Sequence, residues 1–310
     1  MWYMLGVLSR WMVFAGLLTA VGSLVFRVLI LPRHSPHTQL SEEEYPFDRV
    51  VDTAYFGIFA ICILLLGSLA RLASQFAVFR DPYASLTSDL SLLVGGTTWG
   101  QAWIWQVVFG IIALFAFIVA GRRHKVTSPL PWIIAGLAVA VLSITPAFSG
   151  HAYGSENWTV ALVIGDFIHV TAAGVWLGTL FVIVGTITIS KWRGSRVSKD
   201  DLIGWVTSFS PLALASAAAI GITGIFASWV HVDEISSMWI SPYGQRLSLK
   251  LAALLIVLGC GVFNWKRSRN YVQISPEPAR LPLIATIELV GGWVILLVTA
   301  ILVATPIPGE

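Results

Sequence analysis

The chain has 310 residues, of which 56% are hydrophobic, 12% aromatic and 11% charged, and its mean hydropathy is +0.81. Soluble domains carry about 25% charged residues, so this chain lacks the charge to coat a water-facing surface, and a soluble fold is excluded. The net charge of +3 points to no nucleic-acid partner, because the basic residues sit where they orient membrane segments.

Eight apolar runs follow in chain order, at roughly 11–31, 52–74, 100–120, 130–148, 161–187, 206–230, 243–264 and 282–304. Each has about the 20 residues that a helix needs to cross a hydrocarbon core of roughly 30 Å. An outer-membrane barrel would show alternating segments of about ten residues instead. The expected fold is all-α: a polytopic membrane protein of about eight transmembrane helices. The first run, Trp11 to Leu31, is too long for a signal-peptide core and has no convincing cleavage site, so it is expected to stay as a helix.

The connections sort by charge. Arg122, Arg123 and Lys125 lie between runs three and four, Lys191, Arg193, Arg196 and Lys199 follow run five, and Lys266, Arg267, Arg269 and Arg280 lie between seven and eight. Segments 149–160, 231–242 and 305–310 hold no Lys or Arg. Lys and Arg mark the cytoplasmic side, which places both termini outside. The connection after run one, with Arg33 and Arg49 but also Glu42, Glu43 and Glu44, votes most weakly.

An internal repeat is faintly visible. Trp99-Gly100-Gln101 opens run three with Gln106 beyond it, and Tyr243-Gly244-Gln245 opens run seven with Lys250 at the same offset. Ala15-Gly16 and Ala173-Gly174 lie in small-residue stripes suited to close helix packing. Four helices per unit restore the starting orientation, so two tandem four-helix halves, 1–148 and 149–310, are geometrically allowed.

No CxxC, HExxH, P-loop, GxSxG or GxGxxG pattern occurs, and no catalytic residue is expected. Cys62 and Cys260 fall inside apolar runs and read as small apolar fillers. His34, His37 and His124 fall in cytoplasmic connections and read as solvated loop residues. His151, His169 and His231 all belong to the outward half, at the end of run four, the upper part of run five and the end of run six. Neutral imidazole binds copper, zinc and haem iron, so these three form a candidate metal-ligand set; hydrogen-bonded packing is the plainer alternative. Asp166, His169, Ala173 and Trp176 share one helical face by their spacing. Asp166 can orient the imidazole or donate an oxygen, or serve only to pair with a cation. Tyr243, Arg246, Lys250 and Asn264 share a face of run seven, and Lys250 lies about 12 Å below the outer surface, near the depth of Asp166. An Asp166–Lys250 pair is therefore expected. Glu288 in run eight is either a proton or cation relay or a structural partner of Arg27 or Asn264. Asp233 and Glu234 beside His231 would attract cations at the outer mouth.

Taken together these residues resemble the copper resistance protein D family of bacterial inner-membrane proteins. The motifs that carry the resemblance are Gly150-His151-Ala152, Asp166-x-x-His169 running on to Trp176-Leu177-Gly178, and Phe209-Ser210 continuing to Thr223-Gly224. They go on through Tyr243-Gly244 with Lys250-Leu251, then Asn264 before a basic run, and Glu288 in a last helix ending in Pro306 and Pro308; Ser9-Arg10-Trp11 matches more loosely. The resemblance implies an eight-helix inner-membrane protein of copper uptake or handling, linked to a small periplasmic copper-binding partner, with family positions on His151, Asp166, His169, Trp176, Tyr243, Lys250 and Glu288. The four Met residues, Met1, Met4, Met12 and Met238, form no soft-ligand track across the membrane, which argues against a free-standing copper(I) channel.

Three functions stay open at this stage. The first is copper transport or delivery through a periplasm-facing site of His151, His169 and His231, with Asp166 behind it. The polar faces of runs five and seven and Glu288 would form the path inward. The second is a haem b electron-transfer or metal-reducing subunit, with histidines as axial ligands. The third is an accessory subunit of a membrane copper enzyme.

Overall fold

A computed structural model of the chain describes residues 2–31, 45–122, 128–148, 158–194, 197–231, 236–274 and 281–305; at 45–51, 231, 237, 258, 260, 262–274 and 281–284 it describes the backbone alone. The helices are α1 (Trp2–Val25), α2 (Tyr45–Phe79), α3 (Leu86–Gly96), α4 (Thr98–Arg122), α5 (Leu130–Phe148), α6 (Thr159–Ala173), α7 (Thr179–Trp192), α8 (Lys199–His231), α9 (Ser237–Ile240), α10 (Pro242–Ile274) and α11 (Leu281–Val303). A π turn at Phe26–Ile30 prolongs α1, and another at Gly174–Gly178 joins α6 to α7 in one rod. No strand occurs among the described residues.

Among the described residues, seven rods are long and apolar enough to cross a membrane. The 33-residue α10 stands where the seventh of the eight apolar runs is expected, and at 1.5 Å per residue it is about 50 Å long. The protein is an all-α polytopic membrane protein.

Most rods outrun their apolar stretches. Helix α1 begins at Trp2 and not at 11, because Gly6 and Ser9 let its first turns lie against α2. Helix α3 lies in a connection where hydropathy alone indicates no element. Ser85 caps it by accepting from the Ser88 N–H at 3.1 Å, satisfying one of the orphan donors of a helix start. Its Asp89 and Leu93 turn inward while Leu86, Leu90 and Leu92 stay exposed, and Arg80 pairs with Asp89 at 3.4 Å.

The packing is antiparallel and glycine-dependent. A Cβ at Gly16 would strike the Ala60 carbonyl of α2, and one at Gly22 or Gly178 would collide with the backbone of the opposing rod. Backbones this close gain dispersion contacts that larger residues would prevent. Ser23 fastens the same α1–α2 seam by donating to the Thr53 carbonyl at 2.6 Å. One apolar core gathers residues of α1, α2, α4 and α5 around Phe117 and Leu142. A second joins α1 and α2 to α7, α8 and α11 around Phe26, Val182 and Trp205. Helix α1 belongs to both. Cys62 is exposed on α2, where a small apolar thiol meets lipid as readily as core.

Candidate functional site

Helices α6, α8 and α10 bring a polar group together within an apolar bundle. On α6, Asp166 and His169 lie one turn apart. His169 is ten residues from the start of the helix, about 15 Å along the axis, deeper than the apolar run suggests because the helix starts earlier. Its Nδ1 lies 2.8 Å from Oγ1 of Thr223 on α8. That hydroxyl also donates to the Ala219 carbonyl at 2.7 Å, a common arrangement for a threonine inside a helix. A hydroxyl has one proton. With it directed to Ala219, Oγ1 accepts from Nδ1–H, and the neutral imidazole carries its free lone pair on Nε2, the atom suited to bind a metal ion. The Cβ that Gly224 lacks would lie 3.8 Å from His169 Cε1, so the imidazole rests along the Thr223-Gly224 step.

Helix α10 supplies the charges opposite. The field of Asp166 reaches both Lys250 and the Tyr243 hydroxyl, and Lys250 in turn acts on His169. Four of the residues expected from sequence, Asp166, His169, Tyr243 and Lys250, therefore lie within electrostatic reach of one another. Thr223 is the member without an assigned role in the sequence, where a threonine in an apolar run reads as filler; its place beside Gly224 in the family motif was the available signal.

The other candidates lie elsewhere or outside the described residues. Arg246 shares a face with Lys250 but donates to Oγ1 of Thr305, which follows α11. Trp176 packs into the second apolar core. It stands within the π turn, which widens the helix by a residue and shifts its angle from that of a regular α-helix. Glu288 lies against α10, its Oε1 3.8 Å from where a Cβ of Gly261 would stand. Arg27 holds its guanidinium 5.6 Å from the centroid of Trp132. His151, Asp233 and Glu234 lie outside the described residues, as do His34, His37 and His124 and the side chains of His231, Cys260 and Asn264. His231 ends α8 eight residues past Thr223, about 12 Å along the axis. An ion shared by His169 and His231 would need both imidazoles to reach toward one another. Among the described residues no three His, Cys, Asp or Glu side chains converge to hold a metal.

Residues 1–161 match the family described as copper resistance protein D-like, N-terminal domain, and residues 203–302 match copper resistance protein D. The chain belongs to the copper resistance protein D family. It is 28% identical over 219 residues to the copper transport protein CutJ of Bacillus subtilis (strain 168), an alignment covering 69% of this chain and 38% of that protein. It is 23% identical over 204 residues to the inner membrane protein YebZ of Escherichia coli (strain K12), covering 64% of this chain and 66% of the relative. The chain thus spans less than two thirds of the length of either relative. No solved structure matches it. As a copper resistance D protein, it is a multi-pass membrane protein of a copper-related family.

Proposed function

We propose that this copper resistance D protein transports copper across the inner membrane or delivers it there, and that the Asp166–His169–Lys250 group is where the ion meets the helix bundle. The observation that carries this reading is the fixed imidazole of His169, whose Nδ1 is committed to Thr223 at 2.8 Å and whose Nε2 is left for the ion. The relatives support it, one named a copper transport protein and the other an inner membrane protein. The charge asymmetry of the connections supports an orientation with both termini and the start of α6 on the periplasmic side.

In this reading copper is cargo. His169 is a ligand, His151 and His231 complete the set from the neighbouring helix ends, and Asp166 stabilises the site while held by Lys250. Tyr243, Asn264 and Glu288 belong to the inward path; Arg246 and Trp176 act through packing. No nucleotide motif is present, so the driving force is an ion gradient, the membrane potential or a partner, such as a small periplasmic copper-binding protein or a membrane copper enzyme. The protein catalyses no reaction of its own.

The test combines elemental analysis and an optical spectrum of the detergent-purified protein with copper uptake into proteoliposomes. Copper-dependent uptake, lost in His169→Ala while the thermal transition is retained, is the expected result. A Soret band with stoichiometric iron would overturn it in favour of a haem b subunit. Unchanged copper handling in His169→Ala would remove His169 from the site.

A further inference from the structure

Helix α3 lies between two membrane rods and is tied closely to both. Residues 80–85 join it to the end of α2, and Thr97 alone separates it from α4. Its 11 residues, about 16 Å of helix, therefore stay at the membrane surface where the rods end at Phe79 and Thr98. Its roll about its own axis is fixed as well. At one end the Asp81 N–H donates to Asp89 Oδ2 at 3.2 Å, beside the Arg80–Asp89 ion pair. At the other, Thr97 Oγ1 donates to the Leu93 carbonyl at 2.6 Å and accepts from the Gly100 N–H at 2.9 Å. Gly100 brings α4 so close that a Cβ there would strike the Leu93 and Val94 carbonyls. Asp89 and Leu93, 5% and 1% exposed, are thereby held on the side that packs on α2 and α4.

That fixed roll leaves Leu86, Leu90 and Leu92 exposed by 59%, 40% and 56% on the two flanks of the buried seam. By helical spacing Thr87, Ser88 and Ser91 share the opposite face, and all three are exposed. The helix is thus amphipathic with an uncharged polar face. No Lys or Arg occurs in residues 81–121, so the helix has no cation with which to hold an anionic headgroup. Aromatic residues mark its level as that of a membrane interface: Tyr83 precedes it, and Trp99 and Trp105 lie in the first turns of α4. Deeper along the two rods, Val78 of α2 and Ile104 and Val108 of α4 stand exposed too, the apolar surface that lipid covers on a bilayer-spanning helix.

We propose that α3 is an interfacial helix that docks on the lipid leaflet at this end of the bundle, with Leu86, Leu90 and Leu92 among the acyl chains and Thr87, Ser88 and Ser91 in water. Apolar burial holds it there, not attraction to charged headgroups, so it sets the depth of the α2 and α4 ends in zwitterionic and anionic membranes alike. The seat involves neither the His169 group nor its helices, so it is independent of the copper reading.

The experiment places single nitroxide labels along α3 of the full-length protein, in a Cys62→Ala, Cys260→Ala background, in phosphatidylcholine nanodiscs. Collisions with oxygen, which concentrates in lipid, are compared with collisions with a water-soluble nickel chelate. The oxygen-to-nickel ratio is expected to be several-fold higher at Leu86→Cys, Leu90→Cys and Leu92→Cys than at Thr87→Cys, Ser88→Cys and Ser91→Cys. Mixing in phosphatidylglycerol should leave that contrast unchanged. Equal ratios at the two sets would put the leucines in water and overturn the proposal. Exclusion of both reagents at the leucines would overturn it in favour of a covering protein segment or a second copy. A contrast seen only with phosphatidylglycerol would rule out a seat that is independent of headgroup charge. Should the labelled variants fail to fold, the wild type decides. Photolysis of a lipid with a diazirine on its acyl chain, mapped by mass spectrometry, is expected to mark Leu86, Leu90 or Leu92. Marks on α2 and α4 with none on α3 would show that the helix stands clear of the bilayer.

Discussion

His169 owes its orientation to one proton on Thr223. Thr223→Val leaves Nδ1–H without that acceptor, at a cost of about 1–3 kcal/mol, and lets the ring turn. Thr223→Ser keeps the acceptor and the donation to Ala219. Copper uptake in proteoliposomes should fall in the valine variant and persist in the serine variant; equal uptake in the two would separate Thr223 from the site. Asp166 and Lys250 make a sharper case. If the charge of Asp166 is what holds Lys250 in the bundle, removing one partner costs about 3–5 kcal/mol, because the remaining charge is stranded. Lys250→Met should therefore destabilise the protein strongly, and Asp166→Asn added to it should restore part of the loss. A double variant no more stable than Lys250→Met would show that Asp166 is not what holds Lys250. Sequence spacing alone places both residues at similar depth on separate helices. It does not reveal Thr223, which takes part through a hydrogen bond between helices 54 residues apart.

At the scale of the helix, periodicity and length go far and then fail at specific places. The positions of the spans are legible because apolar runs of bilayer length have few other uses. Their ends are not, since α1 continues past the apolar stretch where Gly6 faces Ser74 and the Ser9 carbonyl faces Gly67 of α2. Nor is α3 legible from hydropathy, being short and held by a serine cap. The π turn at Gly174–Gly178 is not legible from periodicity either, and it turns Trp176 away from the place that a uniform 3.6-residue period gives it. The small-residue stripe around Ala173-Gly174 does carry that information in part: Gly174 rests on Val21 and Gly178 on the Leu18 carbonyl of α1. Gly178→Ala would force backbone against backbone, where no rotamer change relieves the clash, and should cost about 3 kcal/mol, the upper part of the usual range for overpacking. Gly221 on α8 has open space where its Cβ would stand, and Gly221→Ala should be neutral or stabilise by up to about 1 kcal/mol. Thermal midpoints of the two variants, measured in the same detergent, check the contrast; similar midpoints would mean that the α1 crossing is looser than described.

For the whole molecule, the question is what keeps the two ends of the chain in one bundle. The segments that open alike, Trp99-Gly100-Gln101 and Tyr243-Gly244-Gln245, each set their aromatic residue beside a polar group, Trp99 over Arg71 and Tyr243 in the field of Asp166. These groups lie on different helices, so they do not join the bundle. Helix α1 does, since it contributes to both apolar cores. The second link is polar. Arg193, at the end of α7, donates to both carboxylate oxygens of Asp52 on α2, at 2.8 and 3.0 Å, across 141 residues of sequence. Gly194, at φ +75°, ends the helix just beyond it, a backbone region that glycine enters freely, and so fixes where Arg193 emerges. The Asp52 side chain is 7% exposed and that of Arg193 56%, so the pair is one-sided: losing the arginine strands a buried carboxylate, whereas losing the carboxylate frees a cation that water can reach. Arg193→Ala should therefore destabilise by about 1–3 kcal/mol. Asp52→Asn should cost less, and the double variant should be no worse than Arg193→Ala alone. Salt should narrow the gap between wild type and Arg193→Ala only slightly, because ions screen a buried carboxylate poorly. Unfolding in detergent at low and high ionic strength distinguishes this from an ordinary surface pair, whose contribution would be largely gone at high salt.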